Sequence, residues 1–173
     1  MAALTGPTDW QLDPAHSSVT FTHKVMWGLQ TVRGTFSRIT GSGEILADGS
    51  GRGRLEIEAA TLNTKNRQRD EHLRSADFFN AATHPQIVVE VTQAAAQGSD
   101  RVASTGTLTV AGQTRPLTLT ATITEATEQA ITLRAEADID RADFGMSWNR
   151  LGMINGPAHV SVVARYLRTA AGQ

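Results

Sequence analysis

Histidine has the widest chemical repertoire of the side chains present here, because imidazole can act as metal ligand, acid or base near neutral pH. The chain has five histidines, at His16, His23, His72, His84 and His159. Their spacing lacks the tight pairs, such as two histidines at i and i+4, that commonly hold zinc. Cysteine is absent, which excludes disulfides, thiolate catalysis and cysteine-based metal sites. The sequence therefore predicts no metal site and no cofactor.

His23 is the histidine with the most informative position. Apolar and polar residues alternate around it, and this alternation places His23 on the same face as Val19, Phe21 and Val25. A buried imidazole needs a hydrogen-bond partner. A neighbouring side chain could satisfy it, or it could contact a polar ligand group, a metal or a quinone oxygen.

Other catalytic patterns are weak in this chain. No G-x-S-x-G nucleophile motif is present. The glycine-rich stretches at 41–43 and 49–53 lack the Lys-Ser/Thr of a phosphate loop and are typical of hairpin turns. Asp138 and Asp140 share one strand face that should face water. These features favour a protein that is not an enzyme, with a metal- or histidine-dependent enzyme using His23 or His72 as an alternative.

The charge balance limits the partners that the chain can have. It has 173 residues with 16 basic and 17 acidic side chains, for a net charge of -1. This balance argues against nucleic-acid binding and against attachment to anionic membranes by charge alone. No stretch approaches 18 apolar residues, so we expect no stable membrane insertion. The first ten residues lack the basic and apolar regions of a secretory signal, so a cytoplasmic location is expected.

The elements that must position these residues are strands, because apolar residues recur at every second position. Short turn signals, such as 48–51 and 111–113, separate the strands and indicate hairpins. Sequential hairpins favour an antiparallel meander that closes into a barrel and so removes exposed edges. We predict an all-β antiparallel barrel of about eight or nine strands, at 18–25, 31–37, 43–47, 54–58, 86–92, 102–110, 117–123, 131–139 and 159–167.

One segment interrupts the alternation and predicts a short helix near residues 66–75. It is polar, charged and free of β-branched residues. Thr64 is the expected N-cap, and Asp70 and Arg74 are spaced to pair at i and i+4. The aromatic residues Phe78 and Phe79 follow the helix.

The predicted inward faces mix large and small residues. An eight-stranded barrel can be filled by side chains or can hold one small ligand. Aromatic residues make up only 5% of the chain, so few rings are available to fill the interior. The pattern leaves two alternatives open, a ligand tunnel and a flattened, self-packed barrel that interacts through its rims.

A family resemblance adds to this interpretation. The segment NTKNRQRDEHLRSADFFNAATHPQIVVEV, which begins at Asn63, resembles the YceI-like family. The resemblance extends over nearly the whole chain, although residues 148–158 fit the family pattern poorly. The matching residues include Trp10, Asp13, His16, Ser17, Phe21, His23, Val32, Gly34, Phe36, Gly106, Gly112, Pro116, Asp140, Arg141 and Phe144.

The resemblance implies an extended, lipocalin-like barrel, which we expect to form a single domain over residues 1–173. It also implies binding, for storage or transport, of a long isoprenoid lipid such as a polyprenyl phosphate or a quinone. Many relatives carry an export signal, and this sequence departs from them there.

Strand alternation gives a set of residues expected to line the apolar tunnel. They are Val19, Phe21, His23, Val25, Phe36, Leu55, Ile57, Ile87, Val89, Leu108, Leu119, Leu133 and Phe144. A polar head group would need partners at the mouth, and Arg69, His72 and Arg74 are the candidates because they can make charge-assisted hydrogen bonds to phosphate. The alternative is that these three residues only hold the short helix on the barrel.

Large apolar residues are also expected at loop ends. They are Met26, Trp27, Met146, Trp148 and Met153. An exposed apolar rim could form a ligand entrance or the face of a homodimer. The alternative is ordinary capping of the barrel ends.

Overall fold

Strands dominate the computed structural model, which describes residues 7–149 and 152–170. The strands are β1 (Thr8–Leu12), β2 (Ser18–Val25), β3 (Gln30–Phe36), β4 (Ile39–Ile45), β5 (Gly51–Glu58), β6 (Leu62–Asn63), β7 (Gln86–Gln97), β8 (Arg101–Val110), β9 (Gln113–Ala126), β10 (Ala130–Ile139) and β11 (Asn155–Arg168). The one α-helix of the described residues is α1 (Arg67–Arg74), and short 3₁₀ helices lie at Pro14–His16, Ala59–Thr61 and Arg141–Phe144. The expectation that the first ten residues are not a secretory signal falls partly on residues 1–6, and these lie outside the described residues.

Strand β11 closes the sheet into a barrel. It pairs with β10 on one side, and with both β1 and β2 on the other. Strands β1 and β2 act as one strand that is interrupted at Pro14–His16. On the side away from β11, β1 pairs with β4 and β2 pairs with β3. The result is a closed antiparallel barrel of eight strands with one short helix, as the sequence predicts.

Each of the predicted strands is present, although several are longer than the sequence indicates. Strand β7 continues to Gln97, and β9 runs from Gln113 to Ala126. Two strands were missed, β1 and β6. In β1, burial alternates strictly around Trp10 and Leu12, but two apolar residues ahead of Pro14 are too weak a signal to predict a strand.

The barrel has two different ends. Tight turns at 46–50, 98–100 and 127–129 join strands at one end, which we call the turn end. At the other, the helical end, lie α1, the β2–β3 hairpin tip at 26–29 and the segment 140–154. Phe78, which follows α1, and Phe144 and Met146 of the segment 140–154 are buried and belong to the same apolar core as the inward residues of the strands. The helical end is therefore covered by side chains from outside the sheet.

Two inward-facing glycines are explained by close approach. A Cβ at Gly34 would stand 2.2 Å from Cζ of Phe21, which lies directly opposite on β2. A Cβ at Gly106 would stand 1.8 Å from the carbonyl oxygen of Glu90, beside the irregular pairing of β7 with β8. Both small residues make room for protein atoms. They are thus not evidence for an empty tunnel, which was one possible explanation of the small inward residues.

Candidate functional site

Asn66 begins helix α1. Its side-chain oxygen accepts a hydrogen bond from the backbone N–H of Arg69 at 3.0 Å, which is the usual contact of an N-cap. The prediction that Thr64 is the N-cap is therefore wrong. Thr64 lies two residues earlier and is buried, and both its backbone N–H and its hydroxyl donate to Asp70. A buried threonine needs a partner such as Asp70, because its polar groups lose their hydrogen bonds to water on burial.

Asp70 does not pair with Arg74, so that prediction is also wrong. The carboxylate of Asp70 is buried and turned toward Thr64, at 2.9 Å from its backbone nitrogen. The i, i+4 ion pair of this helix joins Arg67 and Glu71, both exposed, at 3.2 Å. The tertiary contact to Thr64 takes the place of the local pair, because a buried carboxylate requires hydrogen bonds that an exposed one obtains from water.

Arg69 and Arg74 hold the helix to the chain before it. Arg69 donates to the hydroxyl of Thr64 at 2.7 Å and to the Thr64 carbonyl oxygen at 2.6 Å. Arg74 donates to the carbonyl oxygens of Ala60 and Leu62 at 2.9 and 3.0 Å. These contacts favour the structural alternative for both arginines. Contact with a head group stays a prediction.

His72 lies in an aromatic cluster at the helical end. Its ring meets those of Trp148 and Phe78 edge to face, with centroids 4.4 and 5.1 Å apart. Its Nε2 is 2.9 Å from a carboxylate oxygen of Asp77. A histidine oriented by a carboxylate is an arrangement found in catalytic sites, but here it fixes one ring against two others. Arg69 and Arg74 both donate to backbone carbonyl oxygens. The side chain of His72, in contrast, contacts the side chains of Asp77, Phe78 and Trp148.

His23 has a backbone partner. Its Nε2 lies 2.9 Å from the carbonyl oxygen of Gly156, at the start of β11. The contact joins two strands at the helical end. The expected partner of His23 is a neighbouring side chain, whereas this partner is a backbone carbonyl oxygen. Across the described ranges 7–149 and 152–170, no group of three or more His, Cys, Asp or Glu side chains is placed to hold a metal ion.

The predicted lining residues fall into two groups. Seven are buried, and these are Val19, Phe36, Leu55, Ile57, Ile87, Leu108 and Phe144. Six are only partly buried, and these are Phe21, His23, Val25, Val89, Leu119 and Leu133. Phe144 does not lie on a strand but in the 3₁₀ helix Arg141–Phe144. The buried group belongs to one apolar core, and whether any of these residues contacts a ligand stays a prediction.

The partly buried positions follow a pattern on β9 and β10. The inward residues Leu119, Ile123, Leu133 and Ala135 are all accessible in part, while Ala121 between the first two is buried and the outward neighbours are mostly exposed. Side chains that face the inside of a well-packed closed barrel lose nearly all of their accessible surface. This partial access distinguishes the inward faces of β9 and β10 from the buried inward positions Leu55 and Ile57 of β5.

Tyr166 places a hydroxyl within the barrel. The ring lies between strands, with its oxygen 3.3 Å from where a Cβ of Gly41 would stand. Burial raises the pKa of Tyr166 to about 12, because the phenolate would be poorly solvated there. Alternation in the sequence does not single out Tyr166, because its strand has apolar residues on both faces.

An outer groove of about 520 Å³ crosses β1, β4, β5 and β7 near the turn end. Arg54 bridges two carboxylates there, at 2.7 Å from Glu56 and 3.3 Å from Glu90. The hydrogen bond that Arg54 donates to Glu56 raises the pKa of Arg54. Arg52 pairs with Glu44 at 2.7 Å. The groove is lined by these paired charges together with apolar atoms of residues such as Trp10 and Val91.

Ion pairs also stabilise the interruption between β1 and β2 at Pro14–His16. Arg165 of β11 lies 3.0 Å from Asp13 and 3.0 Å from Glu125, and His16 lies 2.7 Å from Asp13. The hydrogen bond from His16, together with that from Arg165, holds the pKa of Asp13 below its usual value. These residues stabilise barrel closure, and their separation in sequence kept this network from being predicted.

The geometry can be compared with that of known proteins. The model of the YceI-like domain matches residues 10–165. The chain belongs to the YceI-like family. A UPF0312 protein of Azotobacter vinelandii is 35% identical over 68 residues, which cover 39% of this chain and 35% of the relative. The chain thus spans about a third of the length of this relative.

Solved YceI-like structures share the fold at low identity. BcnA of Burkholderia cenocepacia has a TM-score of 0.80 at 19% identity, with 89% of this chain and 98% of that chain covered. A polyisoprenoid binding domain from Saccharophagus degradans, implicated in plant cell wall breakdown, has a TM-score of 0.76 at 20% identity, with 92% and 98% covered. At these identities the likeness shows the barrel fold. Over the described residues, no helix is long and apolar enough to cross a membrane.

Proposed function

We propose that this YceI-like barrel binds one long isoprenoid lipid, with the apolar chain inside the barrel, and does no chemistry on it. The observation that carries the proposal is the residual access of inward apolar residues, such as Leu119 and Leu133, within a closed barrel. The description of the Saccharophagus degradans relative as a polyisoprenoid binding domain supports the same class of ligand. Storage and transport both fit this activity.

The driving force would be removal of the lipid chain from water. Burial gives roughly 25 cal/mol per Å² of apolar surface, so an area of about 600 Å² would give roughly 15 kcal/mol. Ordering and association cost about 4–15 kcal/mol. Because the two terms are similar in size, the shape of the interior decides the affinity. A stiff, branched isoprenoid loses less freedom on binding than a saturated chain of equal length.

The head group would lie at the helical end in this proposal. His72 is the favoured contact, because its side chain is 37% exposed and can donate a charge-assisted hydrogen bond to phosphate when protonated. Arg69 and Arg74 would act mainly through the helix that they hold. We propose a polyprenyl phosphate or a quinone as the ligand, and the first has the stronger interaction with His72.

Native mass spectrometry of the purified protein tests the proposal. We expect a mass increment of one lipid per chain, which organic extraction removes and added polyprenyl phosphate restores. Identification of the extracted lipid names the head group. A protein that is empty as purified and also takes up neither polyprenyl phosphate nor quinone would contradict the proposal and favour the self-packed barrel.

A further inference from the structure

Exposed apolar side chains are concentrated at the helical end. Of the five most exposed large hydrophobic residues in the described ranges, four lie there: Met26 at 42%, Trp27 at 56%, Leu29 at 89% and Trp148 at 36% exposure. The fifth, Leu167 at 39%, lies at the turn end. Such a concentration on one face marks an interaction surface.

The β2–β3 hairpin tip is held in a strained form that projects these side chains. Met26 and Trp27 have φ values of 53° and 55°, in the left-handed region that side chains other than glycine rarely adopt. The backbone nitrogen of Trp27 donates to the Met153 carbonyl oxygen at 3.2 Å. The tip is therefore fixed against the loop that precedes β11. Strain maintained in this way is a feature of functional sites.

The charge around the tip is positive. Lys24 and Arg33 are exposed on the two strands of the hairpin, and no Asp or Glu occurs between Asp13 and Glu44. Among the acids on neighbouring elements, Asp77 pairs with His72. Glu136 and Asp138 pair with His159, which lies opposite Thr22 of β2. The hairpin therefore presents apolar residues together with cations.

We propose that the helical end docks on an anionic lipid bilayer, with Trp27 and Leu29 entering the interface and Lys24 and Arg33 facing lipid head groups. Tryptophan prefers the membrane interface, because its ring is apolar and its N–H is polar, and each cation near an anionic surface adds attraction. The docked barrel would load its ligand from the membrane, a step that rests on the proposed function.

The charge pattern favours a bilayer over a second copy of the chain. An isologous dimer places the same patch of both copies face to face, so the cations of the two hairpins would meet. Like charges brought together in this way oppose association. An anionic surface instead neutralises Lys24 and Arg33 while it takes up the apolar tip.

Sedimentation with vesicles of phosphatidylcholine, with and without phosphatidylglycerol, tests the proposal. The variant W27S/L29S is expected to lose binding to the anionic vesicles by about tenfold or more, and K24Q/R33Q to lose the preference for them. L167S is the matched control, because it removes an exposed leucine from the turn end, and it should bind as the unchanged protein does. Equal binding by all variants, or no binding by the unchanged protein, would overturn the proposal.

Two further measurements distinguish membrane docking from ligand binding and from dimerisation. Uptake of polyprenyl phosphate from detergent, without vesicles, should be the same in W27S/L29S as in the unchanged protein. If uptake fails while vesicle binding persists, the proposed function is wrong and docking stands. Light scattering gives the mass in solution, and a dimer that W27S/L29S converts to monomer would overturn docking in favour of a second copy.

Discussion

The ring of Phe21 lies against Gly34, its direct partner across β2 and β3, so closely that a Cβ at Gly34 would stand 2.2 Å from Cζ. The ring also contacts Phe36, with centroids 5.6 Å apart. An inward glycine therefore allows one bulky ring to lie over the neighbouring strand. In the proposed function, the space for the lipid chain lies elsewhere, on the inward faces of β9 and β10.

We expect Gly34→Ala to lower the free energy of unfolding by about 1–3 kcal/mol, because the new Cβ displaces Phe21 from its packed position. This cost exceeds the gain of about 0.5–1 kcal/mol that alanine has over glycine in a strand. Gly43→Ala is the matched control. Its Cβ would have no neighbour closer than 3.6 Å, so stability should stay the same or rise. Urea denaturation measures both, and equal effects of the two substitutions would contradict the packing described.

Ala135→Phe distinguishes a barrel with interior space from a self-packed one. Ala135 faces inward on β10 and is partly accessible, so a phenyl ring should enter the lumen, reduce uptake of polyprenyl phosphate about tenfold or more, and change stability little. Thr120→Phe on the outward face of β9 is the control and should leave uptake unchanged. In a filled barrel, overpacking would instead cost about 1–3 kcal/mol. Thermal unfolding and native mass spectrometry together separate these results.

Arg74→Met tests the role of this arginine in the attachment of α1. The substitution keeps the apolar stem but leaves the carbonyl oxygens of Ala60 and Leu62 without their donor, which should cost about 1–3 kcal/mol. Arg67→Met, at an arginine whose side chain is 94% exposed, should change stability by at most about 0.5 kcal/mol. We expect the ratio of affinities for polyprenyl phosphate and polyprenol to be the same in both variants. A selective loss of phosphate binding in Arg74→Met would show that Arg74 contacts the head group.

Tyr166 provides an optical probe of the interior, because it is the one tyrosine of the chain. Its phenolate absorbance should appear with a pKa of about 12 in the folded protein, against an ordinary value of 10.0. An unfolded chain gives up this proton from about pH 10, so folding stability should fall between about pH 10 and 12. Titration with and without urea measures the difference. A pKa of 10 in the folded state would contradict the buried position.

The fold could be predicted because the alternation of apolar residues is strong in most strands. In β10, Ile131, Leu133 and Ile139 share one face, and that regularity survives the irregular pairing with β9. The weaker strand β1 was missed because it obtains its stability from pairing with β4 and β11, far away in the sequence. Closure of the barrel depends on such distant pairs.

The candidate site was harder to predict than the fold. Asp70 and Arg74 have the spacing of a helical ion pair, but each turns to a partner in the chain before the helix, Asp70 to Thr64 and Arg74 to Leu62. A rule based on local spacing cannot include these tertiary contacts. The small inward residues were ambiguous for a similar reason. Only the position of the Phe21 ring reveals that the space beside Gly34 is filled.

The most direct test of the account is to locate the lipid chain by photo-crosslinking. An isoprenoid phosphate with a diazirine at its apolar end would be bound, illuminated and mapped by mass spectrometry of the digested protein. We expect crosslinks to inward residues of β9 and β10, such as Leu119 and Leu133, and we expect excess unlabelled polyprenyl phosphate to suppress them. Crosslinks confined to outward residues such as Thr120 and Arg134, or to the hairpin tip at 26–29, would contradict a lipid chain inside the barrel.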